Sequence, residues 1–513
     1  MSVSTVLSAA VFGLKAEFVN VEADVSNGLP AFHMVGYLSS EVKEAVERVR
    51  TAIRNSGLEF PAKKVVINLA PATIKKRGAM FDLPIALAIL VSLGQLKQER
   101  IGKLLILGEL GLDGTVQRVP GILPIVLEAQ DAGVTSCMIP KENALEGALA
   151  EGMEIIGVRS LQEAVAHIQG TLEIPPEPYP VQRMYSHAGT ERLDYSDVYG
   201  QEVVKRAAEV AVAGCHNLLL IGPPGSGKSM IAKRIPTIFP PMTMEECMET
   251  TKIYSILSML DEQNPLIRRR PFRSVHHTAT KTAMVGGGVI PTPGEISLAH
   301  GGVLFLDELP EFRREVLEVL RQPLEERQIR ITRSSGTCQF PANFILVGAM
   351  NPCPCGCYPD LNRCSCTDKE IQRYMGRLSQ PFLDRMDICV EAPQVKYEAL
   401  KGQRQEERSA DIQERVGRAR EVQNERYKGT GIRSNAALEG RNLERYCELG
   451  KTEEQLMQQA FSRLRLTART YHKVLKVART IADLDGQEKI NTEHLQEAIG
   501  YRTINKKYWG RGA

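Results

Sequence analysis

The sequence predicts an α/β protein in three parts, and three observations carry that reading. Up to Pro393, short apolar runs rich in β-branched residues alternate with helical patterns, as they do where helices cover the faces of a parallel sheet. A proline-rich break, Ile174-Pro175-Pro176-Glu177-Pro178-Tyr179-Pro180, interrupts that alternation. After Pro393 the strand signals stop, and Glu, Arg, Gln, Leu and Ala recur at helical spacing to residue 505. At roughly 150 residues per domain, a chain of 513 residues also divides into about three. The boundaries read as an α/β domain over 1–170, a linker over 171–192, a parallel-sheet core over 193–393 and an all-α lid over 394–513.

Each element has a local reason. In the first part, Val65 to Leu69 and Leu104 to Leu107 read as strands. Ahead of them, Glu41 to Ser56 reads as one helix with Val42, Ala45, Val46, Val49 and Ile53 on its apolar stripe. The prolines of 174–180 cannot hold a helix or a central strand, which makes that stretch a linker. In the core, Leu218 to Ile221, Val303 to Leu306 and Phe344 to Val347 are short buried strands.

Composition narrows the function classes. Lys and Arg number 64 against 61 Asp and Glu, a net charge of +3, which argues against coating nucleic acid by bulk charge and leaves local patches open. A chain 43% hydrophobic and 24% charged is neither disordered nor fibrous. No run approaches the ~18 apolar residues that span a bilayer, and the apolar start from Met1 to Leu14 has no preceding basic residue, so it is a poor secretory signal. Eleven cysteines in a chain this long do not make a disulfide scaffold, although five crowd between Cys353 and Cys366. The expectation is a reduced, cytoplasmic protein with no membrane partner.

Gly222-Pro223-Pro224-Gly225-Ser226-Gly227-Lys228-Ser229 fits G-x-x-x-x-G-K-[ST], the phosphate-binding loop. By chance such a match arises on the order of 0.02 times in a chain of this length. It follows the strand Leu218 to Ile221 and opens a helical stretch from Ser229 to Ile235, halted by Pro236. The glycines let backbone N–H groups form a nest around phosphates. Lys228 would hold the β/γ-phosphates of ATP, and Ser229 would ligate Mg²⁺. Downstream, the strand Val303 to Leu306 ends in Asp307, placed to meet Mg²⁺, and Glu308, placed to polarise the attacking water. A third strand runs through Gly348-Ala349-Met350 to Asn351, whose amide would orient that water or else cap the turn before Pro352.

The order Asp197-Val198-Tyr199-Gly200-Gln201, phosphate loop, Leu306-Asp307-Glu308-Leu309-Pro310-Glu311-Phe312, Met350-Asn351-Pro352 and Leu383-Asp384-Arg385-Met386-Asp387 resembles that of AAA+ ATPases of the magnesium-chelatase-like group. The segments from Arg270 to Thr278, Val285 to Gly288 and Pro293 to His300 resemble the bacterial YifB/ComM family, and the resemblance covers essentially the whole chain. It implies that Arg385 is an arginine finger reaching a neighbour's ATP, that Arg469 on a lid helix is the second sensor, and that Gly200 and Gln201 sit near the adenine. A finger acting in trans implies a closed homo-oligomeric ring, by resemblance a hexamer. Taken singly, either arginine could equally be a surface ion pair.

The first domain resembles the proteolytic domain of Lon, through Gly108 to Val116, Val119 to Leu123 and Ile139 to Asn143. That resemblance implies a ribosomal-S5-like fold. Lon-type cleavage needs a serine activated by a lysine. Here Met80 stands about where the serine should be, and Leu123 or a near neighbour stands in the lysine's place. The expectation is therefore no peptidase activity and a role in assembly or docking.

Cys353, Cys355, Cys357, Cys364 and Cys366 offer more than the four thiolates of a tetrahedral Zn²⁺ site, in C-x-C rather than the commoner C-x-x-C spacing. The family pattern implies Cys353, Cys355, Cys364 and Cys366 as ligands; free or redox-active thiols are the alternative. Two basic inserts are candidate DNA contacts. One runs Arg268-Arg269-Arg270 with Arg273, His276 and His277 ahead of Gly286 to Gly288. In the other, Arg327, Arg330 and Arg333 lead into a hairpin. Both could equally be solvated charge runs. Arg502, Lys506, Lys507 and Arg511 form a third basic run, read as a mobile tail. The leading expectation is an ATP-driven motor acting on single-stranded or branched DNA as a helicase in branch migration, recombination or natural transformation. The alternatives are a protein-remodelling ATPase and a magnesium-chelatase-type motor subunit.

Overall fold

The structure, a computed structural model, describes residues 3–179, 193–288, 291–333, 336–395 and 406–509. Its front part is a seven-stranded mixed sheet built from β1 (Ser4–Phe12), β2 (Lys15–Ser26), β3 (Ala31–Val35), β4 (Lys64–Ala70), β5 (Leu104–Ile106), β6 (Ser136–Pro140) and β7 (Glu154–Val158). The order is β3-β4-β2-β1-β5-β6-β7. β1 and β2 form a hairpin paired from Ser4↔Ala23 to Phe12↔Lys15, whereas β5, β6 and β7 run parallel.

The helix expected over Glu41 to Ser56 is broken at Glu44 into a turn, Ser40–Lys43, and α1 (Ala45–Asn55). Its buried residues are Val42, Ala45, Val49, Ala52 and Ile53, which keep a 3.6-residue period, while Val46 falls off the stripe. α2 (Asp82–Ser92) is apolar around its whole circumference and buried from Asp82 to Leu90, as a helix enclosed on all sides must be. The buried Asp82 accepts from Arg48 Nε at 2.7 Å and Nη2 at 3.1 Å. The start of the expected linker is tied down: Glu177 donates its N–H to Ile155 at 2.8 Å and pairs with Lys141 at 2.6 Å. The rest of that linker, 180–192, lies outside the described residues.

The core sheet has five strands, β8 (Leu218–Ile221), β9 (Phe272–Val275), β10 (Val303–Leu306), β13 (Ile345–Met350) and β14 (Ile388–Glu391). All are parallel, in the order β9-β10-β13-β8-β14. β8, β10 and β13 are buried at every residue, which accounts for their unbroken apolar sequence. The third strand extends past its expected end at Val347 to Met350. Between β10 and β13 lies the hairpin β11 (Gln328–Arg333) and β12 (Gly336–Pro341), which buries Ile329 and Ile331 and exposes Arg330 and Arg333. The front part touches the core at helix Met244–Ile256, where Ser255 Oγ donates to Glu146 at 2.5 Å, and at the hairpin, where a methyl on Gly336 would stand 2.8 Å from Phe12.

After the core, the chain is helical: Ser409–Arg426, Lys451–Leu464, Ala468–Leu484 and Thr492–Trp509. The expected mobile tail is instead the end of this last helix. Arg502 is buried, Lys507 pairs with Glu391 at 2.6 Å, and Trp509 Nε1 donates to Met375 O at 3.2 Å. Arg511 and the Lys506 side chain lie outside the described residues. Among the described residues, no helix is long and apolar enough to cross a membrane.

One buried carboxylate ties these helices together. Asp483 is fully buried and accepts from Arg426 at 2.9 and 2.5 Å, from Arg479 Nε at 3.1 Å and from Asn435 Nδ2 at 2.8 Å. Removing it leaves two guanidinium groups without their carboxylate, and breaking a buried pair that way costs about 3–5 kcal/mol. Asp483→Ala should therefore lower the thermal unfolding midpoint by at least several degrees. An unchanged midpoint would show that the helical lid does not depend on this network.

Candidate nucleotide site

Parallel register gathers the predicted residues at one edge of the core sheet. Ile221 is level with Met350, and Leu306 is level with Gly348, so Gly222, Asp307 and Asn351 emerge together at the carboxyl ends of β8, β10 and β13. Gly225 and Gly227 take left-handed backbone, φ +75° and +86°, which turns the loop's N–H groups inward before helix Lys228–Arg234. Pro236, expected to stop this helix, lies inside a 3₁₀ turn, Ile235–Ile238, that continues it.

The loop's polar groups interlock. Lys228 Nζ donates to Gly222 O at 2.7 Å, Pro223 O at 2.8 Å and Asn351 Oδ1 at 3.3 Å. Burial lowers the Lys228 pKa, and the Asp307 carboxylate opposes that shift. Ser229 Oγ donates to Asp307 Oδ2 at 2.6 Å, so a hydroxyl and a carboxylate converge where a hard cation takes oxygen ligands. Glu308, at φ +51°, carries a largely exposed carboxylate that lies 3.4 Å from His277 Nδ1. Together these groups can hold a triphosphate with Mg²⁺ and activate a water beside it.

On the base side, Gln201 Nε2 donates to Ser226 O at 3.0 Å and Pro393 O at 2.6 Å, while its buried Oε1 has no partner among the described residues. That oxygen can accept from the amino group of a bound base. Gly200, next to it in the chain, donates its N–H to Glu406 at 2.9 Å. Beside Gln201 opens an apolar cavity of about 810 Å³ lined by Val203, Val390, Pro393, Tyr501 and Ile504, within the usual range for a nucleoside-sized ligand.

Arg385 and Arg469 stand elsewhere. Arg385 precedes β14, whose Ile388 is level with Leu218, whereas the phosphate loop follows Ile221. At ~3.3 Å per residue, the length of the strand, about 10 Å, separates the two edges. Arg385 Nη2 pairs with Glu325 at 2.8 Å, and Arg469 contacts the same carboxylate oxygen. Arg327, Lys473 and Lys476 line the same pocket, with Asp387 paired to Lys473 at 2.6 Å and Glu439 beside them. Neither arginine contacts its own chain's phosphate loop.

The four thiols Cys353, Cys355, Cys364 and Cys366 lie within 4.8 Å of one another, with separations of 3.4, 3.8 and 3.6 Å among the closest. A disulfide would require about 2.05 Å, and all eleven cysteines are unpaired. Four sulfurs at ~2.3 Å from a tetrahedral Zn²⁺ would be about 3.8 Å apart, so the set fits that ion. Cys357 lies outside the group and donates to Cys355 O at 3.7 Å.

The basic inserts divide. The first is not a flexible run: Arg273 lies in β9 and pairs with Glu295 at 2.7 and 2.8 Å, and Arg270 pairs with Glu246 at 2.9 and 2.8 Å. In the second, Arg327 donates to Phe344 O at 3.0 Å, but Arg330 and Arg333 are exposed and have no carboxylate partner among the described residues. The hairpin approaches the glycine loop of the first insert, since a methyl on Gly287 would lie 3.6 Å from Arg333 Nη2. His277, grouped with the basic insert on sequence, instead leaves β9 beside Glu308 because Val275 is level with Leu306. Glu325, which joins the two arginines, carries no motif of its own and gives no signal in the sequence.

Models of three segments match the chain: magnesium chelatase, subunit ChlI, over 194–400; subunit ChlI of Mg-chelatase over 21–143; and the ChlI C-terminal segment over 406–502. The chain is 44% identical over 513 residues to an uncharacterized protein YifB of Salmonella typhimurium, covering 99% of this chain and 98% of the other. It is 43% identical over 512 residues to the competence protein ComM of Haemophilus influenzae, covering 98% of each. A more distant match, 27% identical over 172 residues, is to a Lon protease of Mycolicibacterium smegmatis and covers 32% of this chain and 22% of that one. The chain therefore belongs to the magnesium-chelatase-like YifB/ComM family.

Proposed function

We propose that this chain is an ATP-hydrolysing motor of the AAA+ class that closes into a homo-oligomeric, hexameric ring and remodels single-stranded or branched DNA. The observation that carries the reading is the placement of Arg385 and Arg469 at the sheet edge opposite their own phosphate loop. An arginine finger so placed can serve only a neighbour's ATP, and repeating that heterologous contact closes a ring. In each site Lys228 holds the β/γ-phosphates, Gln201 meets the base, Glu308 polarises the attacking water, and Asn351 orients it beside Lys228. Ser229 and Asp307 hold Mg²⁺, which neutralises charge on the phosphate oxygens. The next subunit supplies Arg385 as the finger and Arg469 as the second sensor.

The DNA reading rests on the exposed Arg330 and Arg333 at a hairpin, multiplied around a ring, and on a full-length relative named for competence. It places the motor in the cytoplasm, in branch migration during recombination or transformation. The domain division at 170, 192 and 393 belongs to the same proposal. So does a Lon-like front domain without peptidase chemistry: Met80 and Leu123 are both buried side chains, neither a nucleophile nor a base. Cys353, Cys355, Cys364 and Cys366 hold a structural Zn²⁺.

The wild type should displace strands and migrate branches in an ATP-dependent manner, and Lys228→Ala should do neither. Remodelling by Lys228→Ala, or an active wild-type ATPase stimulated by unfolded protein and not by DNA, would defeat the DNA-motor reading. Glu308→Gln should retain ATP binding while hydrolysis falls at least ~100-fold, the usual worth of a general base; a wild-type rate would remove Glu308 from that role. Replacing Arg330 and Arg333 by Ala should weaken binding to single-stranded DNA of any sequence. The slope of log affinity against log salt should also fall by roughly 0.7 for each phosphate no longer neutralised. An unchanged slope would place the DNA contacts elsewhere.

A further inference from the structure

The cysteine cluster is seated on the phosphate loop. Asn351, which accepts from Lys228, is followed by Pro352 and then Cys353, so the first thiol lies two residues from a group in direct contact with the phosphate-binding lysine. The chain turns back at once, with Gly356 N donating to Cys353 O at 3.0 Å. At the close of that turn Gly356 has φ +80°, and a methyl group there would lie 2.3 Å from Cδ and 3.0 Å from Cγ of Pro224, inside the phosphate loop. Both the conformation and the contact demand glycine. The remaining two thiols come from a separate pass of the chain, Cys364 and Cys366, and Cys366 Sγ accepts from Cys355 N at 3.4 Å. On the far side, Tyr358 N donates to Cys353 Sγ at 3.4 Å. Its ring meets Tyr508 edge-on at 6.0 Å, and Tyr508 OH donates to Glu391, which borders the cavity beside Gln201.

From this packing we infer that the Cys353, Cys355, Cys364 and Cys366 site is a metal-dependent determinant of nucleotide affinity: Zn²⁺ fixes the turn at Gly356 against Pro224 and so holds the phosphate loop in its binding shape. The inference rests on the zinc reading above and adds to it a coupling between two sites. Without the ion, the hydrogen bonds that join the two passes directly, among the described residues, run through thiols, Cys355 N to Cys366 Sγ at 3.4 Å and Cys355 Sγ to Cys364 Sγ at 3.6 Å. The wall behind Pro224 and the tether on Asn351 then loosen together. Coupling between sites is reciprocal, so nucleotide must strengthen metal retention by the same factor by which metal strengthens nucleotide binding.

The test uses the full-length protein purified without chelator, with its zinc content measured. Binding of a fluorescent N-methylanthraniloyl-ADP in excess Mg²⁺ is compared before and after stripping with a chelator selective for zinc over magnesium, and again after Zn²⁺ is restored. The expected result is about one zinc per chain, a dissociation constant raised about fivefold or more on stripping, and recovery on restoration. In the reciprocal arm, saturating ADP should reduce the zinc lost to the chelator at equilibrium, which decides the matter even if the stripped protein unfolds. Cys357→Ser, outside the four-thiol group, should leave both zinc content and ADP binding unchanged. Zinc present with affinity and retention both uncoupled would overturn the inference and leave the zinc reading standing. Absence of any thiol-bound metal would overturn both.

Discussion

The arrangement of the core depends on parallel pairing. Because β8, β10, β13 and β14 all run the same way, every carboxyl end meets at one edge and every amino end at the other. The phosphate loop, Asp307 and Asn351 therefore share an edge by construction, with no long-range side-chain contact needed to assemble them. The same constraint sends Arg385, which leads into β14, to the opposite edge, where Glu325 holds it beside Arg469. On the proposed reading, a single chain thus carries the two halves of an arginine-completed ATP site on faces that it cannot fold onto each other. On the proposed reading, the ring follows from sheet topology.

Much of this edge was legible in the sequence because its signals are local. Val303 to Leu306 is a continuous apolar run that ends in two carboxylates, and a strand buried on both faces has to read that way. The left-handed turns at Gly225 and Gly227 are written directly as glycines. What could not be read was set by register or by distant partners. His276 and His277 look like part of a basic run until Val275 is aligned with Leu306, after which His277 belongs to Glu308. Arg270 and Arg273 look free until Glu246 and Glu295, 24 and 22 residues away in sequence, fold against them. Lys507 resembles part of a basic tail because its partner, Glu391, lies 116 residues earlier in the chain.

The front sheet and the lid both pack against the core. The β1–β2 turn lies against the hairpin, with Gly13 close to Cys338 and Gly336 close to Phe12, so the hairpin that carries the exposed arginines packs on the front domain. The final helix reaches Glu391 at the carboxyl end of β14, next to the cavity beside Gln201. The cysteine turn adds a third support, under Pro224. The last two contacts join peripheral elements to the edge that carries the phosphate loop.

The claim on which the account turns is that one ATP site is completed by the next subunit. It is tested most directly by mixing two inactive variants, Lys228→Ala, which keeps Arg385, and Arg385→Ala, which keeps the phosphate loop. In rings of equal composition, about a quarter of the interfaces should pair an intact loop with an intact finger, so ATPase activity absent from either parent should appear in the mixture. Mixtures as inactive as both parents, with differently tagged subunits recovered in the same rings, would contradict it, as would wild-type hydrolysis by Arg385→Ala alone.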